Sequence, residues 1–386
     1  MNAKLRKLAR EPKAFFRDAL IKRFPALRLR PRIRAARKSG KPTAILLGFS
    51  DWKMWMNDVL PDYHVVFIGH SPVIDPRLID KIPNFPRPHV FGWSYKFPQR
   101  ARDVCTDAGI PLTLIEDGFV RSVGLGTQKS RPMSLVFDTR AMHFDRGKVS
   151  DLDDLLNTYD FAADADVMAA ADAVMSALQS GLTKYILDHN SRSVVDTLGL
   201  DPDRRRILVL GQVEDDLSIK YGIDGFMSGN DLVRKVAAEN PEATILYRPH
   251  PESIAVSKPH YSDPVDVNDI CHVLGSEWAL KDCFDAAHEA HVITSLAGLE
   301  AKVAGLDVHV YGMPFYSGWG FTIDHGISDI PDKRRRSLTL REVIAGAYVL
   351  YPRYYHPLTS DPIDVWEALR ITQQMRLNLA ETTKPA

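Results

Sequence analysis

The sequence predicts an α/β protein of two Rossmann-like domains, each a mostly parallel sheet covered by helices. Short apolar runs alternate with helical or turn-rich stretches from about residue 42 onward, which is the pattern of strand-helix-strand units. The chain has 386 residues, 45% of them hydrophobic and 25% charged, and this length exceeds what one compact core usually holds. The polar segment SRSVVDTLGLDPDRRR separates two groups of apolar runs. We therefore expect two domains with a boundary near residue 200.

The predicted elements follow from these runs in order. The first group of strands is TAILLGF, HVVFIGH and PLTLIED, and the second is RILVLGQ, ATILYRPH, HVITS and DVHVYG. A long helical stretch from about 165 to 190 lies between them, and after residue 335 we expect the helix TLREVIAGAYVL and a final amphipathic helix to about 380. The predicted organisation is a basic segment (1–40), an N-terminal acceptor domain (41–200), a C-terminal donor domain (201–345) and a helical segment (346–386) that packs back on the first domain.

The N-terminal segment is strongly basic. Residues 3–38 hold fourteen Lys and Arg against Glu11 and Asp18, a net charge of +12, and because the whole chain is neutral the rest carries −12. Its apolar residues recur at roughly helical spacing and are Leu5, Leu8, Phe15, Phe16, Leu20, Ile21 and Phe24. This pattern predicts an amphipathic helix, broken at Pro25 and Pro31, that binds an anionic membrane surface. A flexible, solvated basic tail is the alternative, and since no nucleic-acid-binding module follows we expect no nucleic-acid partner.

Composition also excludes several classes of protein. No run of eighteen apolar residues occurs and no secretory signal is recognisable, so we expect a cytoplasmic protein that associates peripherally with the inner membrane. Cys105, Cys271 and Cys283 are too widely spaced for a disulfide framework or a zinc site, which predicts buried free thiols. The motifs GxxxxGK[ST], HExxH and CxxC are absent, and Gly124-Leu125-Gly126 is too short for a dinucleotide fingerprint, which argues against P-loop kinases and adenine-dinucleotide enzymes.

Polar residues directly after apolar runs are the candidate functional residues, because ligands of parallel α/β sheets bind at the carboxyl ends of strands. Glu116 and Asp117 follow the strand PLTLI, and Arg121 lies in the flexible loop behind them. Two carboxylates and a guanidinium suit acid/base chemistry on a hydroxyl and capture of an acidic sugar. The alternative is a helix N-cap at Asp117 with a salt bridge to Arg121.

Three consecutive acids follow the strand RILVL in the segment GQVEDDLSI. Glu214, Asp215 and Asp216 repel one another unless cations, hydrogen bonds or a substrate offset the charge, and such positions often carry shifted pKa values. The alternative is an ordinary helix start, since acids favour the first turn of a helix. The residues alone do not decide between the two interpretations.

Two further strand ends offer groups that bind anions. Prolines fix the backbone around His250, and Arg248 precedes it, so both can be presented rigidly to a phosphate. Thr294 and Ser295 lie between the strand HVI and a following helix, whose free N–H groups favour an anion. A structural histidine and simple helix capping by the hydroxyls are the alternatives.

Several motifs together resemble one family. EDGFVRSVGLG, RPMSLVFD, GQVEDDLSI, YRPHPE, TSLAGLEAKVAGLDVHVYGMPFYSGWG and RRRSLTLREVIAGAYVLYPRYYHP, spread over residues 112–357, are similar to the capsule polysaccharide biosynthesis family, specifically its KpsC-type β-Kdo transferases. The resemblance implies a GT-B fold, with two Rossmann-like domains facing a central cleft. It also implies CMP-Kdo as donor, and a poly-β-Kdo linker that joins a capsule polysaccharide to a phosphatidylglycerol lipid.

The resemblance assigns roles to the candidate residues. Since CMP-Kdo is the β-anomer and the family's products are β-linked, the reaction retains configuration, which two inversions through a covalent adduct explain. We expect Asp216 as the nucleophile, with Asp215 as the weaker choice, and Glu116 or Asp117 as the acid/base. The expected donor-binding residues are Arg121, Gln212, Arg248, His250, Thr294, Ser295, Gly312 and Gly318. Tyr316 and Trp319 are expected to shape the same pocket, unless they are core residues. No cofactor and no metal are expected, because the protein groups neutralise the leaving phosphate.

Two departures from the family leave alternatives open. This chain carries one transferase module where the KpsC-type proteins usually carry two, so alternating linkages require a second module as partner. His143-Phe144-Asp145 stands where family members often have Tyr-Tyr-Asp. The expected partners are a CMP-sugar donor and a glycolipid or β-Kdo acceptor. The alternatives are a CMP-sugar transferase for another surface glycan such as O-antigen, or a non-catalytic capsule assembly or export factor.

Overall fold

The computed structural model describes residues 29–69, 74–120, 122–123, 131–181, 185–186, 192–251, 262–325 and 333–382. By its internal contacts the chain forms two compact units, Met1–Glu116 and Asp117–Ala386. The domain bounds predicted from the sequence, with their boundary near residue 200, stay a prediction. Within the described ranges, no helix combines the length and the apolar character needed to cross a membrane.

The first unit contains a parallel sheet. Its strands are β1 (Thr43–Leu47), β2 (His64–Phe67), β3 (Pro88–Trp93) and β4 (Leu112–Asp117), the last residue of which belongs to the second unit. The strand order is β2-β1-β3-β4, with Thr43 paired to both His64 and Pro88. Every residue of β1 is buried, as expected for a central strand of a parallel sheet. The helices are α1 (Leu29–Ser39), α2 (Met56–Val59), α3 (Pro76–Ile79) and α4 (Gln99–Asp107), with 3₁₀ turns at Asp51–Trp55 and Ile82–Asn84.

The described part of the basic segment is helix α1. Leu29 and Ala36 are buried, whereas Arg30, Arg32 and Arg34 are exposed. The predicted break at Pro31 is wrong, because Pro31 is the third residue of this helix. Proline is tolerated in the first turn, where its missing N–H has no acceptor within the helix. The predicted apolar stripe between residues 5 and 24 lies outside the described residues.

The second unit holds the remaining elements. Its strands are β5 (Ser122–Val123), β6 (Ser134–Asp138), β7 (Tyr185–Ile186), β8 (Arg206–Leu210), β9 (Thr244–Arg248), β10 (His272–Val273), β11 (Glu289–Val292), β12 (Asp307–Val310), β13 (Ile323–Asp324), β14 (Pro352–Tyr355) and β15 (Pro362–Ile363). Its helices are α5 (Asp151–Thr158), α6 (Ala165–Gln179), α7 (Val194–Leu198), α8 (Leu217–Gly222), α9 (Gly229–Glu239), α10 (Leu280–Asp285), α11 (Ala297–Val303), α12 (Leu340–Ile344) and α13 (Val365–Thr382). Short 3₁₀ turns lie at Phe161–Ala163 and Pro264–Val267, and a π-helix at Ala345–Leu350.

A six-stranded sheet organises this unit. Its order is β10-β9-β8-β11-β12-β13, and every neighbouring pair is parallel. In chain order this is 3-2-1-4-5-6, the arrangement of a doubly wound Rossmann sheet. The α/β class with two parallel-rich sheets is therefore confirmed. Strands β6, β14 and β15 pair antiparallel, and β5 pairs with β7.

Local sequence explains where the helices start. Ser150 caps α5, Ser228 caps α9 and Thr339 caps α12, each in a reciprocal capping box with the acid three residues later. Each box satisfies two backbone N–H groups at the start of a helix. These helices therefore begin where short-range side-chain chemistry dictates.

Two predicted helices differ from the observed ones. The helix expected from 165 to about 190 ends at Gln179, and strand β7 follows, because Gly181 takes φ of 90°. The segment predicted as one helix over 339–350 is α12 followed by the π-helix, in which the Tyr351 amide donates to the Gly346 carbonyl at 3.0 Å. The last helix, α13, lies against α6 and β14.

Candidate functional site

The order of the six-stranded sheet locates the candidate site. Strand order reverses between the neighbours β8 and β11, and ligands of doubly wound sheets bind outside the carboxyl ends of the strands at this point. The predicted residues Gln212 and Thr294 follow these two strands. The switch point and the sequence motifs therefore coincide.

A hydrogen-bond network joins the two loops at the switch point. The side-chain oxygen of Gln212 accepts from the amide of Thr294 at 3.3 Å and from its hydroxyl at 3.0 Å. The side-chain amide of Gln212 donates to Ser218 Oγ at 2.5 Å, and the Thr294 and Ser218 hydroxyls are 3.3 Å apart. The network fixes both loops relative to the start of α8.

Two glycines make room for the Thr294 side chain. A Cβ on Gly312 would lie 2.6 Å from Thr294 Cγ2 and 2.6 Å from Ile223 Cγ2, and one on Gly222 would lie 2.9 Å from Thr294 Cγ2. Thr294 is 6% exposed, so its methyl group is enclosed while its hydroxyl reaches the polar network. The structure thus gives Gly312 a steric role beside Thr294.

The three consecutive acids have different surroundings. Both carboxylate oxygens of Glu214 accept from Ser262, one from its amide at 3.0 Å and one from its hydroxyl. Asp216 is the exposed N-cap of α8, and its Oδ1 accepts from the Ser218 amide at 2.8 Å and from the Ser218 hydroxyl at 2.9 Å. Asp215 is exposed beside it. The predicted helix start is therefore real, and it attaches the Asp216 carboxylate to the Gln212–Thr294 network through Ser218.

Close backbone approach brings the RPHP loop to this site. The Gly211 amide donates to the Arg248 carbonyl at 2.8 Å. A Cβ at Gly211 would lie 2.8 Å from Pro249 Cα and 3.1 Å from the His250 amide nitrogen. Only glycine allows the loops after β8 and β9 to run this close. The half-buried His250 therefore neighbours the segment that carries the acids.

Arg248 is held inside the protein. It is 6% exposed and donates to the carbonyls of Leu274, Gly275 and Trp278 at 3.3, 2.6 and 3.1 Å. Burial lowers the pKa of the guanidinium from its usual value, and the nearby Glu277 carboxylate opposes this shift. These contacts stabilise the loop between β10 and α10, which sequence reasoning did not anticipate because the carbonyls lie 26 to 30 residues away along the chain.

Ser295 is engaged mainly through its backbone. Its hydroxyl accepts from the Ala297 amide at 3.3 Å, and its carbonyl accepts from the hydroxyl of the buried Tyr316. The N-cap of α11 is Leu296, without a side-chain cap, so the predicted alternative of capping by Thr294 is not observed. Burial raises the pKa of Tyr316 well above its usual value, so its hydroxyl stays a donor.

The segment from Gly312 to Ser317, together with Trp319, is buried. Trp319 is 1% exposed, and its indole N–H donates to the Phe315 carbonyl at 2.8 Å. Gly318 takes φ of 76°, and its amide donates to Asp324 Oδ2 at 2.8 Å. The aromatic residues Tyr316 and Trp319 are therefore core residues, the alternative stated for them above.

The loop that follows β4 contacts the same segment. Asp117 is half-buried, the Gly118 amide donates to the Ser134 carbonyl at 2.8 Å, and the Phe119 ring lies 4.5 Å from that of Phe315. Phe119 also contacts His143 at 5.1 Å between ring centroids.

Glu116 and Arg121 are the two predicted site residues not yet described. Glu116 is half-buried in the first unit, and Arg121 lies outside the described residues. Within the second unit, sequence reasoning missed Ser218, whose only signal was its place two residues after an acid at a helix start.

Comparisons with known proteins agree with the motif resemblance. A family model described as "Capsule polysaccharide biosynthesis protein" matches residues 89–354, a range that contains all of the predicted site residues. The lipopolysaccharide-processing protein LpsZ of Rhizobium meliloti is 38% identical over 320 residues, which cover 81% of this chain and 70% of LpsZ. The capsule polysaccharide modification protein LipA of Neisseria meningitidis serogroup A is 37% identical over 262 residues, 68% of this chain but only 36% of LipA. This chain thus spans about a third of LipA's length.

Solved structures extend the comparison to the fold. The beta Kdo 2,4 transferase of KpsC from Thermosulfurimonas dismutans matches with a TM-score of 0.69 and 27% identity, covering 86% of this chain and 97% of that chain. The beta Kdo 2,7 transferase from the same KpsC matches with a TM-score of 0.66 and 27% identity, covering 86% and 99%. The predicted resemblance is confirmed.

Proposed function

The chain belongs to the capsule polysaccharide biosynthesis protein family, and we propose that it is a glycosyltransferase that moves Kdo from CMP-Kdo to a glycolipid acceptor with retention of configuration. Kdo is an eight-carbon acidic ketose whose anomeric carbon is C2. The observation that carries the proposal is the connection of Asp216 to Gln212 and Thr294 through Ser218 at the switch point of the sheet. The likeness to the two KpsC transferases supports a glycosyltransferase with a sugar donor.

The donor binds outside the carboxyl ends of β8, β9 and β11. In this proposal His250 and Ser295 donate to the phosphate of CMP, and Gln212 keeps Thr294 oriented beside them. Arg248 acts indirectly, because its guanidinium is buried on three carbonyls of the loop at 274–278. Gly312 and Gly318 shape the pocket for two different reasons. A Cβ at Gly312 would clash with Thr294, and Gly318 takes a positive φ that favours glycine.

Asp216 is the proposed nucleophile. One carboxylate oxygen is fixed by two hydrogen bonds from Ser218, and none of the donors that the structure describes reaches the other oxygen. That oxygen attacks C2 of Kdo, the bond from C2 to the phosphate oxygen breaks, and CMP leaves with the electron pair. The product is an inverted glycosyl ester on Asp216.

The second step transfers Kdo to the acceptor. Glu116 or Asp117 removes the proton of an acceptor hydroxyl, whose oxygen attacks C2 and displaces the Asp216 carboxylate. Two inversions give net retention, and the proton leaves to solvent. Arg121 is assigned to the carboxylate of Kdo in the same proposal.

The cytoplasmic, membrane-peripheral location belongs to the same proposal. Helix α1 presents the exposed Arg30, Arg32 and Arg34, and further basic residues precede it in the sequence. Anionic lipids attract such residues by roughly 1 kcal/mol each. Binding of these basic residues to the anionic membrane surface would keep the enzyme beside a glycolipid acceptor. A second transferase module is the proposed partner, and the greater length of LipA is compatible with such a partner.

A donor-choice experiment tests the proposal. The purified chain is incubated with a synthetic β-Kdo acceptor and with either CMP-Kdo or CMP-N-acetylneuraminate, and the product is analysed by mass spectrometry and by NMR of the new linkage. We expect transfer from CMP-Kdo alone, with a β linkage. Transfer from the other donor would favour the alternative of another surface glycan. Binding of CMP without transfer of either sugar would favour the non-catalytic assembly factor.

A further inference from the structure

Histidines and a carboxylate form a cluster on one face of the six-stranded sheet. Glu289 and His291 are two residues apart on β11, and His291 pairs in register with His309 on β12. Because strand side chains alternate, Glu289 and His291 share a face, and Tyr311 shares the face of His309. His325, directly after β13, completes the group. We call Glu289, His291 and His309 the histidine cluster.

Three possible ligand atoms of the histidine cluster lie close together. His291 Nε2 lies 3.2 Å from Glu289 Oε1, and His309 Nε2 lies 3.9 Å from Glu289 Oε2. One ligand atom from each residue lies within 4.8 Å of the others. Bonds of 2.0–2.2 Å to a tetrahedral Zn²⁺ imply ligand separations of about 3.4 Å. To enclose an ion, the parallel His291 and His309 rings must tilt toward each other so that their Nε2 lone pairs converge.

The outer hydrogen bonds match those of metal-binding histidines. His291 Nδ1 lies 3.1 Å from the Tyr311 hydroxyl, and His309 Nδ1 lies 2.9 Å from His325 Nε2. Both rings thus have Nδ1 engaged by a neighbour while Nε2 faces Glu289. Metal-ligating histidines are typically fixed in this way through their second nitrogen.

Burial separates the cluster from the solvent while leaving one approach. Glu289 and His291 are buried, and His309 is half-buried. Arg205 donates to Glu289 Oε2, whereas Oε1 is hydrogen-bonded to His291 Nε2 at 3.2 Å. Nitrogen and oxygen ligands without thiolate suit first-row transition metals, and the half-exposed side at His309 leaves a position for water.

We propose that Glu289, His291 and His309 bind one divalent first-row transition-metal ion of the Zn²⁺ class. Tyr311 and His325 hold the ligand rings from outside. The ion joins β11 to β12 and stabilises the second unit. Glu289 begins β11, whereas Thr294 follows its carboxyl end, a separation on the order of 16 Å. The metal is therefore structural and independent of the proposed transfer reaction.

The competing explanation is a hydrogen-bonded cluster without metal. The His291 and His309 rings are stacked at 4.2 Å with an angle of 6°, and Arg205 already supplies one positive charge to Glu289. Such a cluster would bind no metal ion tightly. Metal titration distinguishes the two explanations. Only the proposed site binds one ion per chain with an affinity that depends on the three ligand residues.

The test uses the untagged full chain, treated with chelator and dialysed. Co²⁺ is titrated while visible absorption is recorded, Zn²⁺ is then added as competitor, and calorimetry gives the stoichiometry. We expect one ion per chain, a Co²⁺ spectrum without thiolate charge-transfer bands, and a rise of the melting temperature with Zn²⁺. The absence of one-to-one binding, or a thiolate spectrum, would overturn the proposal.

Matched variants locate the site. His309→Gln and Glu289→Gln should each weaken Zn²⁺ binding by at least about 100-fold, and His325→Gln by roughly 10–100-fold. His272→Gln, an exposed histidine on β10 of the same sheet, should leave it unchanged. Circular dichroism checks that each variant is folded. If a ligand variant unfolds, His325→Gln still tests the site, because His325 holds a ligand ring without binding the ion itself. Unchanged affinity in His325→Gln and in the folded ligand variants would contradict the assignment.

Discussion

The Gln212 side-chain oxygen accepts both the amide and the hydroxyl of Thr294, at 3.3 and 3.0 Å, and thereby joins the loops after β8 and β11. This relationship lies at the point where the strand order of the six-stranded sheet reverses. Through Ser218 it extends to Asp216, so one network holds the proposed nucleophile and a donor-binding hydroxyl.

Gln212→Ala should lower kcat/KM for CMP-Kdo by roughly 10- to 100-fold, because the Thr294 amide and hydroxyl lose their shared acceptor. The melting temperature should fall modestly. Gln374→Ala, an exposed position on α13, serves as the matched control and should leave both quantities unchanged. Steady-state kinetics and thermal unfolding measure the two effects. A variant with wild-type kinetics would remove Gln212 from the donor site.

Asp216→Asn should abolish turnover while leaving the protein as stable as before. Asparagine caps helices about as well as aspartate, so α8 keeps its start, but an amide cannot act as the nucleophile. Asp215→Asn is the control and should retain most of the activity. The measurements are transfer rate and free energy of unfolding. Loss of activity in Asp215→Asn alone would move the nucleophile by one residue.

Gly312→Ala should destabilise the protein by about 1–3 kcal/mol, because the new Cβ would lie 2.6 Å from both Thr294 Cγ2 and Ile223 Cγ2. Displacement of Thr294 should also raise the KM for the donor. Gly147→Ala is the control, since the nearest atom to its Cβ is 3.5 Å away. Denaturant unfolding and donor kinetics test both parts. An unchanged KM with reduced stability would confine Gly312 to packing.

Arg248→Lys should lower the free energy of unfolding by at least about 2 kcal/mol, because one ammonium cannot reach the three carbonyls that the guanidinium binds. Arg204→Lys is the exposed control, with its donors on the carbonyls of Pro241 and Glu242. Urea unfolding gives the stability and kinetics give the donor KM. A raised donor KM at unchanged stability would instead make Arg248 a direct phosphate ligand.

The thiols should react slowly in the folded protein. Burial raises the pKa of Cys105 and Cys271 to about 11 and that of Cys283 to about 12. The reactive thiolate is therefore about a thousandth or less of each thiol at pH 8, and labelling should accelerate about tenfold per pH unit from pH 7 to 10. Reaction with a thiol reagent measures this, with guanidinium-unfolded protein as the control. Fast labelling that levels off near pH 9 would contradict the placement of these thiols, of which Cys105 and Cys283 are buried and Cys271, predicted to be buried, is half-buried.

The sequence predicted those strands that read as continuous apolar runs. Strand β8, RILVL, is buried from its second residue onward, and its pattern alone marks it as a parallel strand. Strand β3, PHVFGW, was not predicted, because it starts with proline and contains glycine, two residues that weaken a strand signal. Strand β3 is stabilised by pairing with its neighbours β1 and β4, and a single sequence does not show which strands are neighbours.

The candidate site was predictable where function depends on residues next to strand ends. Asp216, Gln212 and Thr294 were predicted in this way, and the structure joins them by hydrogen bonds, while their roles stay predictions. The partners of Arg248 were not predictable, because the carbonyls of residues 274–278 reach it only through folding. The histidine cluster left a faint signal, the two-residue spacing of Glu289 and His291, which is common in strands without a metal.

The most direct test of the central claim combines transfer with intact-protein mass. Wild-type protein and Asp216→Asn are each incubated with CMP-Kdo and a synthetic β-Kdo acceptor, and both protein and acceptor are weighed by mass spectrometry. We expect the wild-type protein to add one β-linked Kdo to the acceptor and to carry a transient Kdo on Asp216, and the variant to do neither. Unaltered acceptor and release of CMP no faster than spontaneous hydrolysis with the wild-type protein would contradict this claim.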